Sequence, residues 1–399
     1  MVSSYRSLLA VGEVRGLLVS SVIARMPLGM SSLAILLFAR AASGSFVVAG
    51  LAVGAFTLAS AAVAPLQGAL VDRFGQARVL LPCAAGQGVL LAALVAVAGV
   101  DSGWLLVTIA GMAGALTPPV SACVRVLWPQ VSGDTGKREA AYALDAITQE
   151  IIWITGPLLV AVIVRLSSPA SAVLVAGAIT VLGSILFLRS SLARGWRGSC
   201  WRRRRRVSAL SSRGLRALLG SVALMGVTIG SLEVGLPALA AHLGARSDAG
   251  VLLALCSFGS MAGGVLYGIR KWRVSMGTRH TLLLAAVAVL VAPLLLAHTL
   301  LGGMFFSLLA GIGLAPIFSC QYMLVGALAP DGAMAEAFTW QTAALVLGIA
   351  TGSALAGVLV DAGGSGAPFV FGSCGAVLAF LLAAFERRRI EPLAHLAAA

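Results

Sequence analysis

Long apolar runs broken by short polar stretches recur from one end of this chain to the other. About twelve can be delimited, near residues 17–39, 46–70, 79–99, 104–127, 141–165, 170–188, 217–241, 248–269, 280–300, 302–328, 337–360 and 367–385. A helix rises 1.5 Å per residue, so about 20 residues cross the roughly 30 Å of hydrocarbon in a bilayer. Helices also satisfy their own backbone hydrogen bonds where water is absent. Barrel strands would be about 10 residues long and strictly alternating, which these runs are not. The patterning predicts an all-α membrane protein with twelve transmembrane helices.

Composition excludes the soluble alternative. Hydrophobic residues make up 59% of the chain and charged ones 11%, against about 25% charged in soluble domains. A soluble globule has no place to hide that much apolar surface. The net charge of +14 raises a nucleic-acid partner, but the positions of the bases argue otherwise. With the N-terminus placed in the cytoplasm, 24 of the 28 bases fall in or near inner loops and tails, among them Arg125, Arg279, ten arginines from Arg189 to Arg216, and Arg387 to Arg389. Arg40, Arg165 and Arg246 fall outside, and Arg25 lies within helix 1. This is the positive-inside asymmetry, and it predicts a multi-pass protein of the cell membrane with both termini cytoplasmic. The six cysteines are scattered without CxxC spacing and read as small apolar residues. No cleavable signal peptide is read at the start; helix 1 is expected to act as the insertion signal.

The chain echoes itself at about 200 residues. Ala49-Gly50-Leu51 recurs as Ala249-Gly250-Val251, and Ala64 to Arg73 is echoed by Gly263 to Arg273. Later the offset slips, so that Gly156 before Pro157 matches Gly352 before Ser353. The repeat predicts a first six-helix bundle (1–188), a basic linker (189–216), a second bundle (217–386) and a cytoplasmic tail (387–399). The linker holds the run Trp201 to Arg206. It serves either to fix topology or to bind anionic headgroups, at roughly 1 kcal/mol per base.

The most specific motif is GALVDRFGQAR, Gly68 to Arg78. With Gly68, Asp72, Arg73, Gly75 and Arg78 it resembles the helix 2–3 loop of major facilitator superfamily (MFS) transporters, and the chain as a whole resembles compact bacterial drug or metabolite exporters of that family. The resemblance implies two six-helix bundles rocking about a cavity lined by helices 1, 4, 7 and 10. It also implies that Asp72 is a conformational residue, seated against the positive end of helix 11 near Glu336. The second bundle departs from the pattern, with Trp272 in the place of Asp72, so the latch is expected to be one-sided. Gly156-Pro157 resembles the Gly-Pro of the antiporter motif in helix 5, but the flanking glycines are missing, and a plain proline kink explains it equally well.

Within the spans, Arg25 is an arginine at membrane depth, which normally has a partner. It is read as an anion or cargo contact or a charge partner, or else as a base snorkelling to the interface. Pro27 and Gly29 would loosen the helix beside it. Glu150 lies in helix 5 at nearly the same depth. An Arg25–Glu150 pair, direct or bridged by water, is expected, with Glu150 the first candidate for carrying a proton and a static pair as the alternative. Asp145 is expected to pair with a loop base such as Arg125 or Arg138. Glu233, deep in helix 7, is a second proton or cation candidate, unless it sits at the outer interface. Pro118, Pro119 and Pro316 occupy matching places in helices 4 and 10 and would permit bending. Gln321, Tyr322, Trp340 and Gln341 are candidate cavity contacts.

No enzyme signature, nucleotide motif or metal-ligand cluster is present in the sequence, and no cofactor is expected. The expected partners are a small-molecule substrate, protons and membrane lipids, for a monomer. The expected activity is proton-coupled export of a small hydrophobic or amphipathic compound. The alternatives are import of a small organic anion anchored on Arg25, or a non-transporting membrane sensor of the same fold.

Overall fold

A computed structural model describes residues 10, 12–97, 103–131, 135–196, 207–245, 248–270 and 272–391. The arginine run of the linker, Trp201 to Arg206, lies outside the described residues. Among the described residues there are helices and no strands. Twelve helical spans are long and apolar enough to cross a membrane. They are α1 (Gly12–Ser43), α2 (Phe46–Phe74), α3 (Gln76–Ala96), α4a and α4b (Gly103–Ala115 and Val120–Val131), α5 (Thr135–Leu166), α6 (Pro169–Arg189), α7 (Arg213–His242), α8 (Ala249–Ile269), α9 (Met276–Val291), α10a and α10b (Leu300–Ile312 and Leu314–Leu328), α11 (Met334–Gly363) and α12 (Ala367–Phe385).

Local chemistry sets several starts. Ser45, Ser168, Ser212, Ser275 and Thr299 each accept a backbone N–H in the first turn of the helix that follows, which satisfies one of its unpaired donors. The expected proline effects divide. Pro118 and Pro119 fall in the break between α4a and α4b, and Pro316 falls in the first turn of α10b, just after the break at Gly313. Pro27 and Pro157 lie inside α1 and α5, which run through them as single helices. Gly29 and Gly156 serve close packing: a Cβ on Gly29 would stand 2.5 Å from the Ile152 carbonyl oxygen, and one on Gly156 2.6 Å from the Gly29 carbonyl carbon.

The helices pack as two bundles with the same internal plan. In the first, α1 packs on α5 and α6, α2 on α4a, and α3 on α6. In the second, α7 packs on α11 and α12, α8 on α10a, and α9 on α12. Every pairing repeats with a shift of six helices. Between bundles, α2 meets α11, α5 meets α8 and α10b, and α4b meets α11. We call the end at which α1 and α7 begin, and α6 and α12 finish, the basic end.

Candidate functional site

At the basic end, α2 closes on Gly75, whose φ of +90° suits glycine and whose N–H donates to the Val71 carbonyl at 2.8 Å. This turn carries buried Asp72 to the start of α11. There the N-cap position is Ala333, whose side chain has no acceptor. Asp72 fills that role from the other bundle: Oδ1 accepts the Ala335 N–H at 3.0 Å and Oδ2 the Glu336 N–H at 2.8 Å. An anion at a helix N-terminus meets both unpaired donors and the positive end of the helix dipole. Gly68, one turn earlier, permits the approach, since a Cβ there would collide with the Thr339 hydroxyl and stand 2.8 Å from the Ala335 carbonyl. Arg73 and Arg78 are exposed.

On the opposite flank the Asp72 contact is not repeated, but a different tie joins the bundles. Trp272 turns back on its own bundle, its indole N–H donating to the Tyr267 carbonyl at 3.2 Å. The tie to the first bundle comes instead from α9. Arg279 donates to Glu139, near the start of α5, at 2.7 Å, and lies over the Tyr267 and Trp272 rings. The second tie has reversed polarity, with the base on the second bundle and the acid on the first. Arg279 is buried within a span, not in an inner loop.

Between the two flanks lies a buried charge cluster. Arg25 on α1 donates to Asp145 Oδ1 at 2.8 Å, and Arg125 on α4b donates to Oδ2 at 3.0 Å. Arg25 also donates to the Ser21 hydroxyl and carbonyl. Arg125 reaches the second bundle, donating to the Tyr322 hydroxyl at 2.8 Å with its guanidinium 3.8 Å from that ring's centre. The Tyr142 ring fills the remaining space, 6.4 Å from Tyr322 and 6.3 Å from Phe338. Arg25 and Asp145 are wholly inaccessible to solvent. The cluster corrects two expectations. Arg25 pairs with Asp145 and not with Glu150, and Arg125 is an interior residue and not a loop base. Two guanidiniums share one carboxylate, which leaves one positive charge in excess. Such a cluster persists only when each group is hydrogen-bonded, as these are.

Glu150 stands apart. It lies fifteen residues into α5, about 22 Å along the helix, and is half-buried. Its carboxylate accepts from Ser260 of α8 at 2.9 Å, a contact between bundles. Glu233 lies on α7, twenty residues from the helix start, and is exposed. Among the cavity candidates, Tyr322 belongs to the buried cluster and Trp340 is half-buried. Gln321 and Gln341 are buried rather than open to a cavity. Neither amide atom of Gln321 finds a partner among the described residues.

Sequence reasoning missed the inter-bundle roles of Arg125, Arg279 and Glu139. The available signal was that Arg125 lies within the apolar run 104–127 and Arg279 abuts the run 280–300, which an arginine tolerates only with a partner.

The chain matches the family model described as Major Facilitator Superfamily over residues 17–266 and 217–398. Its fold is similar to the human organic anion transporter MFSD10 (TETRAN), with a TM-score of 0.68 and 19% identity over 92% of this chain and 97% of that one. It is similar to a bacterial homologue of the iron transporter ferroportin in an outward-facing state, with a TM-score of 0.76 and 13% identity over 93% and 98%. The proton:xylose symporter XylE gives a TM-score of 0.69 and 13% identity over 92% and 94%. No curated protein matches the chain in sequence.

Proposed function

Because the chain belongs to the major facilitator superfamily of membrane transporters, we propose that it is a secondary transporter of alternating access that exports a small hydrophobic or amphipathic compound in exchange for protons. The observation that carries this reading is Glu150. It is an acid at mid-span, half-buried, held by a hydroxyl of the opposite bundle and, among the described residues, by no arginine. A proton arriving there changes both the charge at mid-span and a contact between the bundles, which is what coupling requires. Arg25 and Asp145 serve as a fixed buried pair beneath it.

Positive-inside asymmetry supports a basic end that faces the cytoplasm, with the protein in the cytoplasmic membrane. The closed latch then belongs to a state shut to the cytoplasm. Anionic headgroups have a place at the same end, in a cleft of about 370 Å³ lined by Arg213, Arg216, Arg389 and Glu386 with Leu382. Import of an organic anion anchored on Arg25 is disfavoured, because that guanidinium is sealed against Asp145. A sensor role would leave Glu150 without a task.

The test uses the purified protein in liposomes loaded with a pH-sensitive dye, challenged in turn with hydrophobic cations, neutral drugs and organic anions. Cargo-dependent proton flux is expected, and its loss in Glu150→Gln. Undiminished flux in that variant removes Glu150 from the role. Cargo binding without proton movement for any compound overturns proton coupling.

A further inference from the structure

Tyr142 and Trp153 lie eleven residues apart on α5, three turns of helix, so they share one stripe about 16 Å apart. At the level of Tyr142 the stripe abuts Tyr322 and Phe338 of the second bundle, and Tyr142 is 1% exposed. At the level of Trp153 the same stripe is 53% exposed. By that register the stripe turns toward the second bundle at both levels, and the exposure of Trp153 is read as a parting of the bundles at the second. Other faces of α5 are accounted for: Ile152 and Gly156 meet α1 at Gly29, and Ile151, Leu158 and Val162 form the outward apolar face. Trp153 is thus a large ring on the wall of an opening between the bundles, three residues from Glu150 and within reach of the same ligand.

Among the described residues, the charge between the sealed cluster and the outer helix ends is acidic. Arg25, Arg125 and Asp145 are sealed below the opening. Arg40 and Arg165 stand in the last turns of α1 and α5. Between those levels come Glu150, half-buried, and Glu233, exposed. Glu233 leaves α7 between the face that packs on α11 through Gly226 and Gly230 and the face that meets α10a through Leu239, the arc that looks across the opening.

We propose that this opening binds an amphipathic organic cation with a flat apolar ring system, its ring on Trp153 and its charge on Glu150, with Glu233 drawing it in from the open end. Indole is the strongest side-chain surface for a cation, and carboxylates add attraction where an anion would meet repulsion. The proposal rests on the transporter reading and names its cargo. It also gives coupling a physical form, because a carboxylate holding a proton no longer holds a cation.

The probe is ethidium, a flat cationic ring, with binding to the full-length purified protein followed by fluorescence polarisation and an anionic dye, fluorescein, in parallel. Ethidium is expected to bind and fluorescein not to. Trp153→Ala is expected to weaken ethidium about tenfold, with Trp153→Phe retaining most of the affinity. Glu150→Gln and Glu233→Gln should each weaken ethidium, and acidification should release it. Trp104→Ala, which removes an exposed ring at the start of α4a, should leave binding unchanged and controls for folding. Ethidium affinity indifferent to Trp153→Ala and to both glutamine variants, or preference for fluorescein, overturns the proposal. In liposomes, proton flux driven by neutral or anionic compounds and never by cations overturns the cargo class and leaves the transporter standing. Flux with no compound overturns both.

Discussion

Asp145 offers the sharpest test of the buried cluster. It neutralises Arg25 at 2.8 Å and Arg125 at 3.0 Å, and the three groups together carry one positive charge. Asp145→Asn keeps the shape and removes the only acid among them, which leaves two buried guanidiniums without a counter-charge. Removing one partner of a buried pair costs about 3–5 kcal/mol. Arg25→Gln acts in the opposite sense on charge. It leaves Asp145 and Arg125 as a neutral pair and loses hydrogen bonds, at about 1 kcal/mol each. Unfolding entropy near 2.1 cal/mol/K per residue, applied to 399 residues, converts 3–5 kcal/mol into a fall of about 4–6 °C in melting temperature. Arg25→Gln should fall by about half of that or less. Tryptophan fluorescence during heating in detergent measures both. An Arg25→Gln protein as unstable as Asp145→Asn, or an Asp145→Asn protein that melts with the wild type, would refute the charge argument.

Three further outcomes follow from contacts between and within the bundles. Asp72→Ala deprives α11 of its cap, worth about 0.5–2 kcal/mol, so the population open at the basic end should rise roughly two- to thirtyfold, read by thiol labelling of a cysteine introduced at Thr339. Glu139→Gln and Arg279→Gln, combined in a double-mutant cycle on the same readout, should show a coupling of about 0.5–3 kcal/mol; additivity would show that the second tie is not a latch. Gly29→Ala should cost about 1–3 kcal/mol or more in thermal unfolding, because its methyl meets backbone atoms of Ile152 and Gly156 that have nowhere to go.

The spans were legible because crossing a bilayer demands long apolar helices, and that demand is written in every residue of a run. Asp72 was legible because its loop must combine a glycine that tolerates positive φ with an acid that reaches a helix start. The charge cluster was not. Depth along a helix can be read from sequence, and Arg25 and Glu150 match in depth. Rotation about the axis decides the partner, however, and Asp145, five residues or about 140° of helix away, faces α1 alongside Ile152 and Gly156. Trp153 was silent for a different reason. Its significance depends on where two bundles touch and where they part, which no single helix encodes.

The repeat explains why the seam at the basic end is built from unlike residues. Arg125 and Tyr322 are 197 positions apart. Tyr142 and Phe338 are 196 apart, the same spacing as Gly156 and Gly352. Each pair therefore joins equivalent places of the two bundles across their shared pseudo-axis. In an exactly duplicated chain, residues on that axis would meet their own copies, as at any two-fold interface. Two arginines would then face each other in a buried place, and this chain has Gln341 where the first bundle has Asp145, so an arginine at 322 would lack the acid that Arg125 has. Tyrosine at 322 removes one of those charges and turns the other into a cation seated on a ring and bonded to its hydroxyl. The same divergence put Trp272 in the place of Asp72 and moved the second tie to Arg279 and Glu139. Symmetry of fold is kept by the packing glycines, while the residues on the axis had to lose it for the bundles to close.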